Sequence, residues 1–220
     1  MEEVLSRTAA SNAVSGQGWR FILGTLRATV AVRSMAEAAD VAQRAIEVSD
    51  ADDHLRIDLR PDRVILTVQS PAHAAVTSKD VDLAQRISAA VREIGRWTAP
   101  DHTQLIEVGI DALDIPAIRP FWKAILGYAG EAGNDGPEDP LVDPDGHGPA
   151  IWFQQMDEPR PQRNRIHFDI SVPHDSAQDR IAAAVESGGL IISDHRAPAF
   201  WVLADPEGNE ACITTWQGRE

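Results

Sequence analysis

Two Asp-Pro turns constrain this chain's architecture more than any other stretch of its sequence. Asp143-Pro144-Asp145-Gly146 precedes the apolar run Ala150-Ile151-Trp152-Phe153, and Asp205-Pro206-Glu207-Gly208-Asn209 joins Trp201-Val202-Leu203-Ala204 to Ala211-Cys212-Ile213. Asp-Pro opens a turn with a preset φ and Gly-Asn tolerates positive φ, so each motif predicts a tight turn beside a short strand. The two aspartates lie 62 residues apart. A repeated turn at that spacing predicts a repeated module.

The flanking segments agree with a duplication. Leu105 to Ile110 has strand composition, Ile115 to Leu126 reads as a helix ended by Gly127, and strands follow near Leu141 and at Ala150 to Gln155. The polar run Asp157 to Asn164 links this set to a second one. There Arg165 to Val172 is a strand and Ser176 to Ser187 a helix closed by Gly188-Gly189. Strands follow at Leu190 to Ser193, Phe200 to Leu203 and Glu210 to Thr215. Placing Glu107 on His167 gives an offset of 60, so a βαβββ pattern occurs twice between Leu105 and Trp216.

The first half follows a different plan. Residues 1–17 carry little that is large and apolar and no clear period, which predicts a flexible terminus. Trp19 to Val32 reads as a strand bent at Gly24, and Met35 to Val48 as an amphipathic helix preceded by Ser34. Leu55, Ile57 and Leu59 alternate with Arg56, Asp58 and Arg60 ahead of a Pro61-Asp62 turn and Val64 to Val68, a hairpin with one wet face. Thr77-Ser78-Lys79-Asp80 is a capping box opening a helix with its apolar stripe on Leu83, Ala84, Ile87, Val91 and Ile94. The expected class is α+β, with a flexible segment 1–17, a domain over 18–97, a linker over 98–103 containing Pro100, and a second domain over 104–217.

Charge supports the division. Residues 1–100 hold 12 Lys and Arg against 13 Asp and Glu, whereas 101–220 hold 8 against 21, so nearly all of the net charge of −14 belongs to the second part. A net acidic chain without a Lys/Arg cluster lacks the footprint of a nucleic-acid binder. The single cysteine, Cys212, forms no internal disulfide, and no apolar run suits a signal peptide or membrane span. The expectation is a soluble cytoplasmic protein.

The second half resembles the vicinal oxygen chelate superfamily, in particular its glyoxalase-like and bleomycin-resistance-like members. The resemblance rests on Ile110-Asp111-Ala112-Leu113-Asp114, Phe121 to Tyr128, Arg165-Ile166-His167-Phe168-Asp169 and Asp205 to Asn209. It implies two βαβββ modules forming a half-open barrel around a divalent metal or small ligand. By position, the places that hold metal in metal-dependent members fall on Glu107, approximately Gln154, His167 and Cys212. An amide and a thiol stand there in place of two carboxylates, so no metal is expected; if one binds, Glu107 and His167 are its ligands. The same four residues with Trp152 and Trp201 are the candidate ligand pocket. Asp169 stands two residues from His167, on the same strand face, and the large aromatics also suit a core.

The first half resembles pterin-4a-carbinolamine dehydratases, from Gly18-Trp19-Arg20 through Asp53-His54-Leu55-Arg56-Ile57-Asp58-Leu59-Arg60 to Val76 to Ala84. The resemblance implies removal of a hydroxyl from a pterin ring carbon, which needs a proton donor to the leaving water and a base for a ring-nitrogen proton. Active members carry His-His-Pro ahead of the hairpin, where this chain has Asp53-His54-Leu55, and a further histidine where it has Pro71; His73 lies two residues on. His54 is the candidate acid–base residue with Asp53 as its partner, and Asp80 matches the family's aspartate before the last helix. The alternative for His54 is a solvent-facing turn histidine.

Three functions therefore stand at this point. The first is a pterin-4a-carbinolamine dehydratase with an altered site and an accessory glyoxalase-like domain. The second is a metal-free small-molecule-binding protein of the bleomycin-resistance type, and the third a metal-dependent lyase, isomerase or dioxygenase. The implied partners are a small-molecule ligand, with a pterin among the candidates, and further copies of the chain.

Overall fold

The computed structural model describes residues 3–50, 53–101, 103, 105–131, 134–159, 168–172, 175–215 and 217. The chain divides into two compact units, 1–105 and 106–220. Among the described residues no helix is long and apolar enough to cross a membrane.

The first unit begins with α1 (Arg7–Val14), where the sequence predicts a flexible terminus. Ser6 caps it by accepting a bond from Ala9 N, and Ala10 and Val14, one turn apart, are fully buried. Two small anchors give too faint a period to read. The strand expected over 19–32 is a hairpin, β1 (Arg20–Ile22) and β2 (Thr25–Ala31), turning at Leu23 and Gly24 with Gly24 at φ 71°. Then come α2 (Met35–Glu47), β3 (Leu55–Leu59), β4 (Arg63–Val68) and α3 (Ser78–Glu93), as the periodicity predicts. Within the expected linker, β5 (Thr98–Ala99) instead pairs with β2 through Thr29 and Val30.

The sheet is antiparallel, in the order β1-β2-β4-β3. Alternation puts Leu26, Ala28, Val30, Val64, Leu66 and Val68 on one face, packed with Val41, Ala45, Leu83, Ile87 and Val91 of the helices. Trp19 is fully buried in this core, and its Nε1 donates to Ser88 Oγ at 2.8 Å. By the same alternation the opposite face carries Arg27, Thr29, Arg56, Asp58, Ile65 and Thr67.

The second unit contains the expected duplication. Its first module is β6 (Glu107–Ala112), α4 (Ile115–Leu126), β7 (Ala129–Gly130), β8 (Leu141–Val142) and β9 (Ala150–Gln155). Its second is β10 (Phe168–Ser171), α5 (Ala177–Glu186), β11 (Leu190–Arg196), β12 (Phe200–Ala204) and β13 (Glu210–Thr214). The sheet orders are β6-β9-β8-β7 and β10-β13-β12-β11, and each first strand lies parallel to its last. Neither sheet closes into a barrel.

The turn at 205–209 locks the two modules together. Asp205 is buried, accepts Trp122 Nε1 at 3.0 Å on one oxygen, and takes Glu207 N and Asn209 N on the other. Glu207 accepts from Leu113 N and Asp114 N at the start of α4, where a carboxylate suits the helix dipole. The two modules share one apolar core containing Phe121, Trp122, Ile151, Leu203 and Ile213.

Candidate active site

The strongest arrangement of chemical groups lies in the first unit, where β3 begins beside the N-terminus of α3. His54 is 5% exposed, which corrects the solvent-facing alternative, and its Nδ1 lies 2.8 Å from Oδ1 of the fully buried Asp80. The other carboxylate oxygen of Asp80 accepts Thr77 N and Thr77 Oγ1, both at 2.7 Å, and completes the capping box read from sequence. Asp80 therefore both caps the helix and orients the histidine. As a carboxylate it can only accept, so the proton shared with His54 sits on Nδ1.

Asp53 does not take the orienting role expected of it. Its side chain is 73% exposed, and its Oδ1 lies 4.0 Å from His54 Nε2, beyond hydrogen-bond range. It supplies negative charge on the open side of the imidazole. The N-terminal segment, for which the sequence gives no signal, braces this corner: Leu5 N donates to Val76 O and Ser78 N to Glu3 O. The site's other wall is the 69–75 loop. Gln69 N donates to His54 O at 3.0 Å, and His73 Nδ1 lies 3.0 Å from Ser70 Oγ. Ala74 in this loop adopts φ 45°, unusual for a residue with a Cβ.

The candidate pocket residues of the second unit separate. Trp201 is 8% exposed and packs into the core with Leu203 and Ile213, so it is no part of a ligand surface; its alternation along β12 puts it on the helix-facing side. Trp152 lies on the other face, 39% exposed, with its indole over Gly109, where a Cβ would stand 3.0 Å from the ring. Glu107 and Gln154 are also exposed. Cys212 is buried, opposite Asp169 across the parallel β10/β13 pair. His167 lies outside the described residues.

The strand registers also refine the internal correspondence. Val108 and Ile110 face the core as Phe168 and Ile170 do, and Ile151 and Phe153 as Ala211 and Ile213 do, which keeps the offset at 60. Cys212 then corresponds to Trp152, and Gln154 to Thr214. Among the described residues no three His, Cys, Asp or Glu are placed to hold a metal. At the C-terminal end of β9, a cavity of about 660 Å³ is lined by Asp111, Gln154, Gln155, Met156 and Asp157 among others. In the same module, Glu131 has its carboxyl pushed up by burial and by the charges of Glu107 and Asp139.

Comparison with known proteins follows the same division. Residues 3–90 match the family model for pterin 4 alpha carbinolamine dehydratase, and residues 107–214 match that for a glyoxalase-like domain. The chain thus joins a pterin dehydratase-like domain to a glyoxalase-like domain. No curated protein matches it. Among solved structures, a glyoxalase/bleomycin resistance protein/dioxygenase family enzyme from Burkholderia phytofirmans PsJN is 19% identical, with a TM-score of 0.42 over 51% of this chain and 98% of that one. A transcriptional coactivator/pterin dehydratase from Brucella melitensis is 20% identical, with a TM-score of 0.36 over 40% of this chain and 98% of that one. A possible glyoxalase from Bacillus cereus is 16% identical, with a TM-score of 0.40 over 51% and 98%.

Proposed function

We propose that the first unit is a 4a-hydroxytetrahydropterin dehydratase whose acid–base residue is His54, oriented by Asp80. The observation that carries this reading is the buried 2.8 Å contact between His54 Nδ1 and Asp80 Oδ1. Protonated at Nε2, the imidazole gives its proton to the 4a-hydroxyl, the carbon–oxygen bond breaks and water leaves. The adjacent ring nitrogen supplies the electron pair of the new carbon–nitrogen double bond and sheds its proton to the now neutral Nε2. The histidine ends as it began, and the elimination asks for proton transfers alone. Asp53 lies on the open side of the ring, 4.0 Å from Nε2.

A second reading belongs to the other unit: a metal-free site for a small, planar organic ligand. It is supported by the exposed indole of Trp152 laid over Gly109, and by the cavity at Asp111 and Gln154 two residues further along the same strands. The first reading also carries the expectation of self-association, implied by its resemblance. Stopped-flow dehydration of the 4a-carbinolamine tests the main proposal. His54→Ala should remove the rate enhancement while leaving the urea unfolding midpoint within the range of an ordinary buried substitution. Full activity in His54→Ala would remove His54 from the mechanism.

A further inference from the structure

On the helix-free face of the first unit's sheet, four residues form one cross-strand row. Arg20 on β1 faces Arg27 on β2 and donates to Ser15 O and Trp19 O; Arg27 faces Thr67 on β4, and Thr67 faces Arg56 on β3. Arg27 and Arg56 thus stand either side of a hydroxyl. Several other arginines of this unit sit against carboxylates, among them Arg33 with Glu37, Arg44 with Glu47, Arg63 with Asp62 and Arg86 with Asp50. Arg56 faces no carboxylate within ion-pair distance among the described residues, and reaches only Gln69 Oε1 at 3.5 Å. Arg27 is partly buried, and burial together with the Arg56 charge pushes its pKa down, with Asp58 opposing. Asp58 is itself held by Arg60 through two bonds of 2.8 and 3.1 Å. One row along, Thr29 Oγ1 lies within hydrogen-bond reach of Ala99 O and Asp101 O, where β5 pairs along the edge of β2.

Arg27 and Arg56 stand two strands apart, about 10 Å across the sheet, and an anion between them draws on both charges. We propose that Arg27, Thr67 and Arg56 form an oxyanion site that takes a doubly charged phosphate group carried by a small molecule. Each guanidinium presents planar N–H donors that fit two oxygens of a tetrahedral anion, and the Thr67 hydroxyl adds a donor between them. The chain's charge of −14 repels anions in general, so binding here requires a local cluster and not a diffuse field. The site lies on the sheet face opposite the helices.

The test uses the full chain, titrated calorimetrically at low salt with inorganic phosphate, pyrophosphate and, as a singly charged comparison, acetate. Arg Nε–Hε NMR signals report which side chains respond. Saturable binding of the phosphates at one site is expected, with acetate weaker and with shifts at Arg27 and Arg56. Exposed Arg56 tolerates replacement, so Arg56→Gln should weaken phosphate binding by about tenfold or more. Arg56→Lys should recover only part of it, because the charge returns without the fork. Arg44→Gln, on α2, should leave it unchanged. Equal affinity in wild type and Arg56→Gln overturns the proposal, as does an equal loss in Arg44→Gln, which marks a diffuse charge effect. A sedimenting mass that changes in Arg56→Gln at constant phosphate affinity also overturns it, because the row then holds an acidic surface of a second copy.

Discussion

Replacing Asp80 with asparagine separates its two roles. The amide of Asp80→Asn has one oxygen acceptor and one N–H₂ donor where the carboxylate had two acceptors. If the oxygen keeps Thr77 N and Thr77 Oγ1, the amide N–H faces His54 Nδ1, which must then accept and pass its proton to Nε2. The capping contacts survive in neutral form while the histidine's tautomer inverts. A hydrogen bond to a charged group contributes about 1.5–3 kcal/mol and a neutral one about 1 kcal/mol, so the expected loss is about 1–2 kcal/mol. For a unit of this size that lowers the melting point by roughly 5–15 °C. The loss in dehydration should be larger, about 10²–10⁴-fold, because the neutral imidazole then offers no lone pair at the working nitrogen. Urea unfolding followed at the buried Trp19, with stopped-flow rates on the same preparations, reads both quantities. A variant destabilised by this amount yet dehydrating at more than half the wild-type rate would refute the orienting role of Asp80. Unchanged stability would refute the hydrogen-bond geometry itself.

Other consequences follow from single contacts. The folded-state pKa of Glu131 is raised above its ordinary 4.5 by burial first and by Glu107 and Asp139 next, so ionising it weakens the fold as pH rises through that value. Glu131→Gln should therefore raise the melting temperature at neutral pH and leave it unchanged near about pH 4 and below, where both states hold the proton; a gain persisting at the acid end would contradict this. Asp205→Ala leaves the buried Trp122 N–H and two turn amides without their acceptor, and should cost about 3 kcal/mol or more in urea unfolding. A loss under about 1 kcal/mol would deny the turn its part in joining the modules. Val14→Asp puts a charge into the first core, and should loosen amide exchange at Leu5 and Ser78 if the N-terminal segment braces the site; exchange there as slow as in wild type would deny the bracing.

The architecture is legible where local signals and packing point the same way. The capping box at Thr77 to Asp80, the Gly127 helix end and the paired turns at Asp143 and Asp205 each rest on backbone chemistry within a few residues. The βαβββ repeat follows from their spacing. The site is less legible because its parts come from distant segments. His54 follows acidic turn residues that suggest an exposed loop, and only closure against Asp80, 26 residues later, buries it. Asp53 has the stronger claim as partner in the sequence because it is adjacent, but in the turn ahead of β3 its side chain stands 73% exposed while the histidine is buried. Trp152 and Trp201 look equivalent by composition, and alternation with the core residues around them puts one outside and the other inside. The α1 helix leaves little trace in the sequence because Ala10 and Val14 supply its whole buried stripe.

The central claim is that His54 and Asp80 form a working acid–base pair in a pterin dehydratase-like unit. The rate of 4a-carbinolamine dehydration by the wild-type chain, measured against buffer at neutral pH, tests it most directly. The account predicts an enhancement of about 10²-fold or more that disappears in His54→Ala. A wild-type rate equal to that of buffer would contradict it.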